Sequence, residues 1–132
     1  MDAVDTNVVV RLVTADDAAQ TRRARSAFSA DAVFISKSVL LESEWVLRYS
    51  YGLRPDAVIR ALRAVLGLPN VTAENEGQVL QALLWHEAGM DFADALHLAS
   101  SAPARRFVTF DAKFAKRALA VGAAGVTLAR SS

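Results

Sequence analysis

The chain has 132 residues, 53% of them hydrophobic and 22% charged, with a formal net charge of +1 at pH 7. This composition is typical of a globular protein, and we predict a single domain over residues 1–132. The absence of cysteine excludes disulfides and thiolate metal sites, and the presence of only two histidines argues against zinc. No stretch approaches the roughly 20 apolar residues that cross a bilayer, so we expect a cytoplasmic protein without a membrane span. Because the net charge is nearly neutral, any nucleic-acid-binding surface has to be a local basic patch.

Short apolar segments alternate along the chain with segments of helical periodicity. The predicted strands cover residues 3–5, 32–35, 71–73, 107–110 and 126–128. The first predicted helix is capped by Thr6 or Asn7, and the others cover residues 17–29, 38–51, 55–67, 75–86, 91–101 and 111–121. Strands that alternate with helices predict an α/β fold, here a three-layer α/β/α domain around a short central parallel sheet.

Two acidic residues follow predicted strands, at the place where ligands bind in such folds. Asp5 ends the first strand and Asp111 follows the fourth, each just before a helix. In open parallel sheets, binding sites form outside the carboxyl ends of the strands. Aspartate is also a favoured helix N-cap, worth about 1 kcal/mol, so each acid has a structural explanation as well. For Asp5 that explanation is weaker, because Thr6 and Asn7 can cap the first helix equally well.

The helix after the second predicted strand carries two glutamates with different expected roles. Glu42 shares a face with apolar and aromatic side chains, Val46 and Tyr49 among them, because residues three or four apart align on a helix. An acid on such a stripe predicts a functional residue. Glu44 lies on another face and is spaced i,i+4 from Arg48, so we expect a solvated ion pair.

The segment DFADALHLA predicts a largely buried helix, because nearly all of its residues are apolar. Its acids Asp91 and Asp94 lie three apart and share a face. Asp91 is explained as a first-turn residue favoured by the helix dipole. Asp94 lies deeper, where a carboxylate needs a partner or a metal ion. We expect His97 to be a packed or surface residue rather than a metal ligand.

These acids predict a site for Mg²⁺ or Mn²⁺ if they converge. Hard cations bind through oxygen ligands, and convergent carboxylates repel one another unless a divalent ion compensates their charge. Such ions can activate water and steady the leaving oxygen of a phosphodiester. The sequence therefore predicts a nuclease site at Asp5, Glu42, Asp94 and Asp111.

Four motifs give the chain a resemblance to a known family. DTNVVVRL, VLLESEWVLR, DFADALHLA and VTFDAKFA resemble, in order and spacing, those of the PIN-domain ribonucleases, and specifically the VapC-type toxins of toxin–antitoxin pairs. The resemblance covers essentially the whole chain. It implies that the acidic quartet of the family falls on Asp5, Glu42, Asp94 and Asp111. The auxiliary residues that it implies are Thr6, Asp91 and Thr109.

The resemblance further implies an endoribonuclease that depends on Mg²⁺ or Mn²⁺ and acts on structured RNA. It also implies a homodimer, for which the helices over residues 38–67 offer a surface, and inhibition by a small VapB-like antitoxin. The candidate phosphate contacts are Lys113, Lys116, Arg117 and, on the first helix, Arg11.

Two other functions are compatible with the same residues. An aspartate after the first strand suits the nucleophile of an aspartyl phosphatase, although the local DTN lacks a second aspartate two residues on. A non-catalytic binding domain would use its acids only as caps and ion pairs. That function predicts acids that do not cluster and a stability that does not respond to metal.

Overall fold

A computed structural model describes residues 1–129 of the protein. The chain divides into two compact units, Met1–Glu76 and Gly77–Ser132. Residues 130–132, which close the predicted domain over residues 1–132, lie outside the described part. The single domain stays a prediction.

The first unit is built on a three-stranded parallel sheet. Its strands β1 (Asp2–Ala3), β2 (Val33–Ile35) and β3 (Val71–Ala73) lie side by side in that order. Its helices are α1 (Thr6–Thr14), α2 (Ala18–Phe28), α3 (Lys37–Tyr49) and α4 (Pro55–Leu66). The fully buried core side chains are Val9, Val33, Ile35, Leu40, Leu47 and Val58. Burial of the β-branched residues of β2 is what the central strand of a covered parallel sheet requires.

The second unit contains a parallel pair of strands joined by a helix. Its elements are α5 (Glu76–Glu87), α6 (Phe92–Ser100), β4 (Phe107–Thr109), α7 (Ala112–Ala120) and β5 (Val126–Leu128). In the pair, Phe107 lies opposite Val126 and Thr109 opposite Leu128. Helix α7 is the crossover and packs against both strands. The fully buried side chains of this unit include Val79, Leu83, Ala95 and Ala118.

The α/β class with parallel strands is confirmed, with the strands hydrogen-bonded in two sets. The first strand was predicted over residues 3–5 but ends at Ala3, because Asp5 belongs to the start of α1. The other strands lie within about one residue of their predicted bounds. Within residues 1–129, no helix is long and apolar enough to cross a membrane.

Candidate functional site

In the first unit, Asp5 begins helix α1. Its backbone is extended, with φ −86° and ψ 165°, and its Oδ1 accepts a hydrogen bond of 2.6 Å from the amide of Thr6. The prediction that Thr6 or Asn7 caps this helix is therefore wrong, since both lie inside it. The cap uses one carboxylate oxygen of Asp5 and leaves Oδ2 for a ligand.

Thr6 connects this turn to Glu42 on helix α3. The Thr6 hydroxyl is buried, with 5% of the residue exposed, and it donates a hydrogen bond of 2.5 Å to Oε1 of Glu42. The two residues are 36 positions apart in the chain. Thr6 thereby fixes one oxygen of Glu42 beside the start of α1, and its auxiliary role stays a prediction.

Helix α3 buries a different face from the one predicted. Glu42 is exposed, whereas Glu44 is only 2% exposed, so the expected environments of the two glutamates are reversed. The buried face consists of Leu40, Ser43, Glu44 and Leu47, while Trp45 and Tyr49 are 52% and 64% exposed. The aromatic residues of α3 therefore mark its outer side and not the core. The prediction of a buried, apolar surrounding for Glu42 is wrong.

The ion pair between Glu44 and Arg48 is present as predicted, although its acid is buried rather than solvated. Nε of Arg48 lies 2.7 Å from Oε2 of Glu44. This hydrogen bond with Glu44 holds the pKa of Arg48 above its ordinary value. A buried carboxylate with an arginine partner is compensated and needs no metal ion.

In the second unit, Asp91, Asp94 and Asp111 occupy one region. Asp91 caps α6, where its Oδ2 accepts a bond of 3.2 Å from the amide of Asp94. Asp111 caps α7 through bonds of 2.9 Å from the amide of Lys113 and 3.1 Å from that of Phe114. Because Oδ1 accepts both of these bonds, Oδ2 of Asp111 is left for a ligand.

The auxiliary residue Thr109 lies at the end of strand β4. Its hydroxyl accepts a bond of 3.0 Å from the amide of Asp111. The turn between β4 and α7 is therefore held by side-chain bonds at both of its ends, which fixes the carboxylate of Asp111 relative to the strand.

The carboxyl group of Asp94 has the most perturbed environment among these acids. Burial raises its pKa above the ordinary value, and the negative charges of Asp91 and Asp111 raise it further, whereas His97 acts in the opposite sense. Helix α6 itself is largely buried, as predicted, through Phe92, Ala95, Leu96, Leu98 and Ala99. The raised pKa of Asp94 thus reflects first its burial and then the charges of the two other acids.

Positive side chains share this region with the acids. A cavity of about 560 Å³ in the second unit is lined by Asp91, Asp94, Asp111, Lys113, Lys116 and Arg117 among others. Carboxylates and cations at one cavity suit a ligand that combines a metal ion with phosphate groups. The three basic residues predicted on α7 line the same cavity as the acids, and their contact with RNA stays a prediction.

Arg11 has a different environment, in the first unit. Its Nη1 lies 3.0 Å from Oδ1 of Asp16 and 3.1 Å from the hydroxyl of Tyr51. It lines a smaller cavity of about 260 Å³ together with Asn7 and Arg23. Because Asp16 already offsets its charge, Arg11 is a weaker candidate for a phosphate contact than the lysines of α7.

The donor atoms of the acids suit a hard divalent cation. They are carboxylate oxygens, the ligands that Mg²⁺ and Mn²⁺ prefer. A bound cation would also offset the negative charges of Asp91 and Asp111 that help to raise the pKa of Asp94. Within residues 1–129, no three histidine, aspartate or glutamate side chains lie close enough together to hold a metal ion as they stand.

Comparison with known proteins places the chain in a family. The family model of the PIN domain matches residues 3–119, and the chain belongs to this family. Membership implies a ribonuclease, a hydrolase of phosphodiester bonds, and PIN-domain nucleases generally use divalent metal ions. The resemblance drawn from the four motifs is confirmed at this level.

Among solved structures, the chain is similar to VapC20 of Mycobacterium tuberculosis, described as a toxin that cleaves the sarcin–ricin loop. The two are 23% identical, the match covers 88% of this chain and 94% of that one, and the TM-score is 0.45. No curated protein sequence matches the chain.

Proposed function

We propose that the protein is a metal-dependent endoribonuclease, the toxin of a VapBC-type toxin–antitoxin pair, which hydrolyses phosphodiester bonds in structured RNA. Membership of the PIN family supports the ribonuclease activity. The observation that supports the metal dependence is the cavity lined by Asp91, Asp94 and Asp111, in which burial and the charges of the other two acids raise the pKa of Asp94. Carboxylates that raise one another's pKa are costly to ionise, and a divalent cation bound near them would offset that cost.

Each acid of the quartet has a role in this proposal. Asp5, Asp94 and Asp111 are ligands for Mg²⁺ or Mn²⁺, and Glu42 binds the ion or orients the attacking water. When bound, the ion activates water and offsets negative charge on the leaving oxygen. Thr6 orients Glu42 through their hydrogen bond. The auxiliary residues Asp91 and Thr109 hold α6 and the turn before α7 in position.

Basic side chains supply the contacts to the RNA backbone. Lys113, Lys116 and Arg117 line the same cavity as Asp94 and Asp111, which supports their assignment as phosphate ligands. Arg11 is assigned a secondary contact because Asp16 partly offsets its charge.

The proposed partners are a VapB-like antitoxin and a second copy of the chain in a cytoplasmic homodimer. The exposed aromatic pair Trp45 and Tyr49 on α3, with ring centroids 5.1 Å apart, supports a contact surface on the helices predicted for the dimer.

Cleavage of RNA by the purified protein tests the activity. We expect cleavage with Mg²⁺ or Mn²⁺ and none with excess chelator. Asp5→Asn and Asp94→Asn should both abolish cleavage. Asp31→Asn, a change of an exposed acid outside the proposed site, should leave cleavage unchanged. Undiminished activity in chelator, or full activity of both site variants, would refute the metal mechanism.

The toxin role has a separate test. Expression of the wild-type chain should arrest growth, and Asp5→Asn should relieve the arrest. The adjoining DNA is expected to contain a short reading frame for a small DNA-binding protein, and co-expression of that protein should restore growth. RNA cleavage in vitro without growth arrest would indicate a nuclease with another role.

A further inference from the structure

Phe110 is the most exposed of the large hydrophobic side chains in the described residues. It is 92% exposed, compared with 7% for Phe114, one turn further along. Burying a phenylalanine side chain typically contributes about 1.5–3 kcal/mol, and the fold forgoes this contribution at residue 110. A single exposed apolar side chain is normal, but Phe110 stands two residues after Val108, which is 57% exposed, and adjoining exposed apolar groups mark a binding surface.

The exposure of Phe110 does not come from fraying of the chain. Strand β4 pairs with β5 up to Thr109, whose carbonyl accepts a bond of 2.8 Å from the amide of Ala129. Beyond Phe110, the amide of Asp111 is bound to the Thr109 hydroxyl and the Asp111 side chain caps α7. The backbone on both sides of Phe110 is therefore fixed, and its ring is presented outward from an ordered turn.

The other phenylalanines of this segment pack against each other instead. The rings of Phe107 and Phe114 are stacked, with centroids 5.0 Å apart and planes inclined by 7°. Phe107 and Phe110 differ in exposure because side chains alternate along an extended strand. The internal packing of the unit is thus satisfied without Phe110.

The residues that follow Phe110 include an acid and two lysines of the proposed RNA site. Asp111 is the next residue, and Lys113 and Lys116 are exposed on the first two turns of α7. An exposed aromatic ring beside cations is the combination by which proteins hold single-stranded nucleic acid, with the ring stacking on a base and the cations binding phosphates. RNA bases that can stack in this way are the unpaired ones of loops and bulges.

We infer that Phe110 is a stacking platform for an unpaired nucleobase of the RNA, held beside Asp111 while Lys113 and Lys116 bind the flanking phosphates. The inference rests on the proposed ribonuclease function and adds to it the kind of RNA element that is bound. Phe110 is a positioning residue in this scheme, because it contacts a base and not the reacting phosphate. The exposed neighbours Val108 and Leu128, at 57% and 41%, would also allow a protein to dock here. The positive charges of Lys113 and Lys116 favour RNA, which is a polyanion, over a protein as the ligand of this surface.

The test compares three changes at Phe110 with a matched control. Phe110→Ala removes the side chain, Phe110→Leu keeps an apolar group without an aromatic face, and Phe110→Trp enlarges that face. Leu119→Ala removes another exposed apolar side chain of the same unit, 79% exposed, and serves as the control. Binding is measured in chelator, with single-stranded oligoadenylate and oligouridylate as probes.

We expect Phe110→Ala and Phe110→Leu to weaken oligoadenylate binding by about 10-fold or more, with Phe110→Trp and Leu119→Ala close to the wild type. The loss should be smaller for oligouridylate, because uracil stacks less strongly. The salt dependence of binding should stay unchanged in the Phe110 variants, since no phosphate contact is removed. Lys113→Ala should instead lower the slope of log K against log salt by about 0.7.

The outcomes separate this inference from the proposed function. If the wild type cleaves RNA and Phe110→Leu binds oligoadenylate as tightly as the wild type, the stacking role is refuted and the nuclease stands. Unchanged RNA affinity together with a lower sedimentation mass in Phe110→Ala would identify the surface as a protein contact, which also overturns the inference. If the wild type does not cleave RNA under any metal condition, the proposed function itself fails.

Discussion

The raised pKa of the Asp94 carboxyl group affects the stability of the folded chain. Its pKa is raised by burial and by the neighbouring acids, so its ionised form is less favourable in the folded chain than in the unfolded one. The protonated form of Asp94 therefore stabilises the folded state relative to the unfolded one. That contribution is lost as the pH rises from about 3.9, the ordinary aspartate value, through the raised pKa.

Replacing Asp94 by asparagine should accordingly change stability in a pH-dependent way. Without divalent ions at neutral pH, we expect Asp94→Asn to raise the unfolding temperature, because a repelled charge is removed. The difference should disappear below about pH 4, where the wild-type carboxyl group is protonated in both states. Thermal unfolding followed by circular dichroism across this range measures the effect. A lower unfolding temperature of the variant at neutral pH would contradict the acidic cluster.

The proposed role of Thr6 depends on a single hydrogen bond, the one that its hydroxyl donates to Glu42. Thr6→Val removes the donor to Glu42 while preserving side-chain shape, and we expect activity to fall about 10-fold or more, as for other residues that orient metal ligands. Thr6→Ser keeps the hydroxyl and should restore most of the activity. Cleavage rates of the two variants, at matched unfolding temperatures, measure the difference. Equal rates would assign Thr6 a packing role alone.

At the scale of elements, the proposed site is built from the starts of helices. Asp5, Asp91 and Asp111 are the N-caps of α1, α6 and α7, so each acid stabilises a helix and presents a free oxygen at the same time. A helix N-terminus favours an adjacent negative charge. The observed capping role and the proposed functional role thus fall on the same side chains.

These two roles can be separated at Asp111. Asparagine caps a helix as well as aspartate does, whereas alanine does not, and loss of a cap costs about 1 kcal/mol. Asp111→Asn should therefore retain the stability of the wild type and lose cleavage, while Asp111→Ala should lose both. Chemical denaturation beside an RNA cleavage assay resolves the two effects. Should Asp111→Asn cleave RNA normally, Asp111 would be a cap only.

Helix α3 shows where the pattern of a single element misleads. Its apolar and aromatic residues lie on more than one face of the helix, so the sequence alone does not determine which face is buried. The fold buries the face with Leu40, Leu47 and Glu44, and Arg48, one turn from Glu44, compensates the charge of that buried acid. Trp45 and Tyr49 are left outside, where Arg48 lies 4.6 Å from the centre of the Tyr49 ring.

At the scale of the whole molecule, a bound cation should act on the folding equilibrium. A ligand that binds only the folded state stabilises it by about 2.7 kcal/mol at a concentration 100 times its Kd. We expect Mn²⁺ to raise the unfolding temperature of the wild type in proportion to the logarithm of its concentration, and this response should be lost in Asp94→Asn. Calorimetric scans over a Mn²⁺ series provide the measurement. An identical response in both proteins would exclude Asp94 as a ligand.

The sequence by itself determined the features that depend on residues close together in the chain. The order of strands and helices, the place of Asp91 at a helix start, the cap available at Asp111, the pair of Glu44 with Arg48 and the four motifs of the PIN family are all local, because each spans a few residues. Only the tertiary structure decided the contacts between segments that are distant in the chain. The rotation of α3 that exposes Glu42, its bond with Thr6 and the repulsion of Asp94 by Asp111 are of this kind. Helical periodicity aligns residues on a face, but packing against the rest of the unit selects which face is buried.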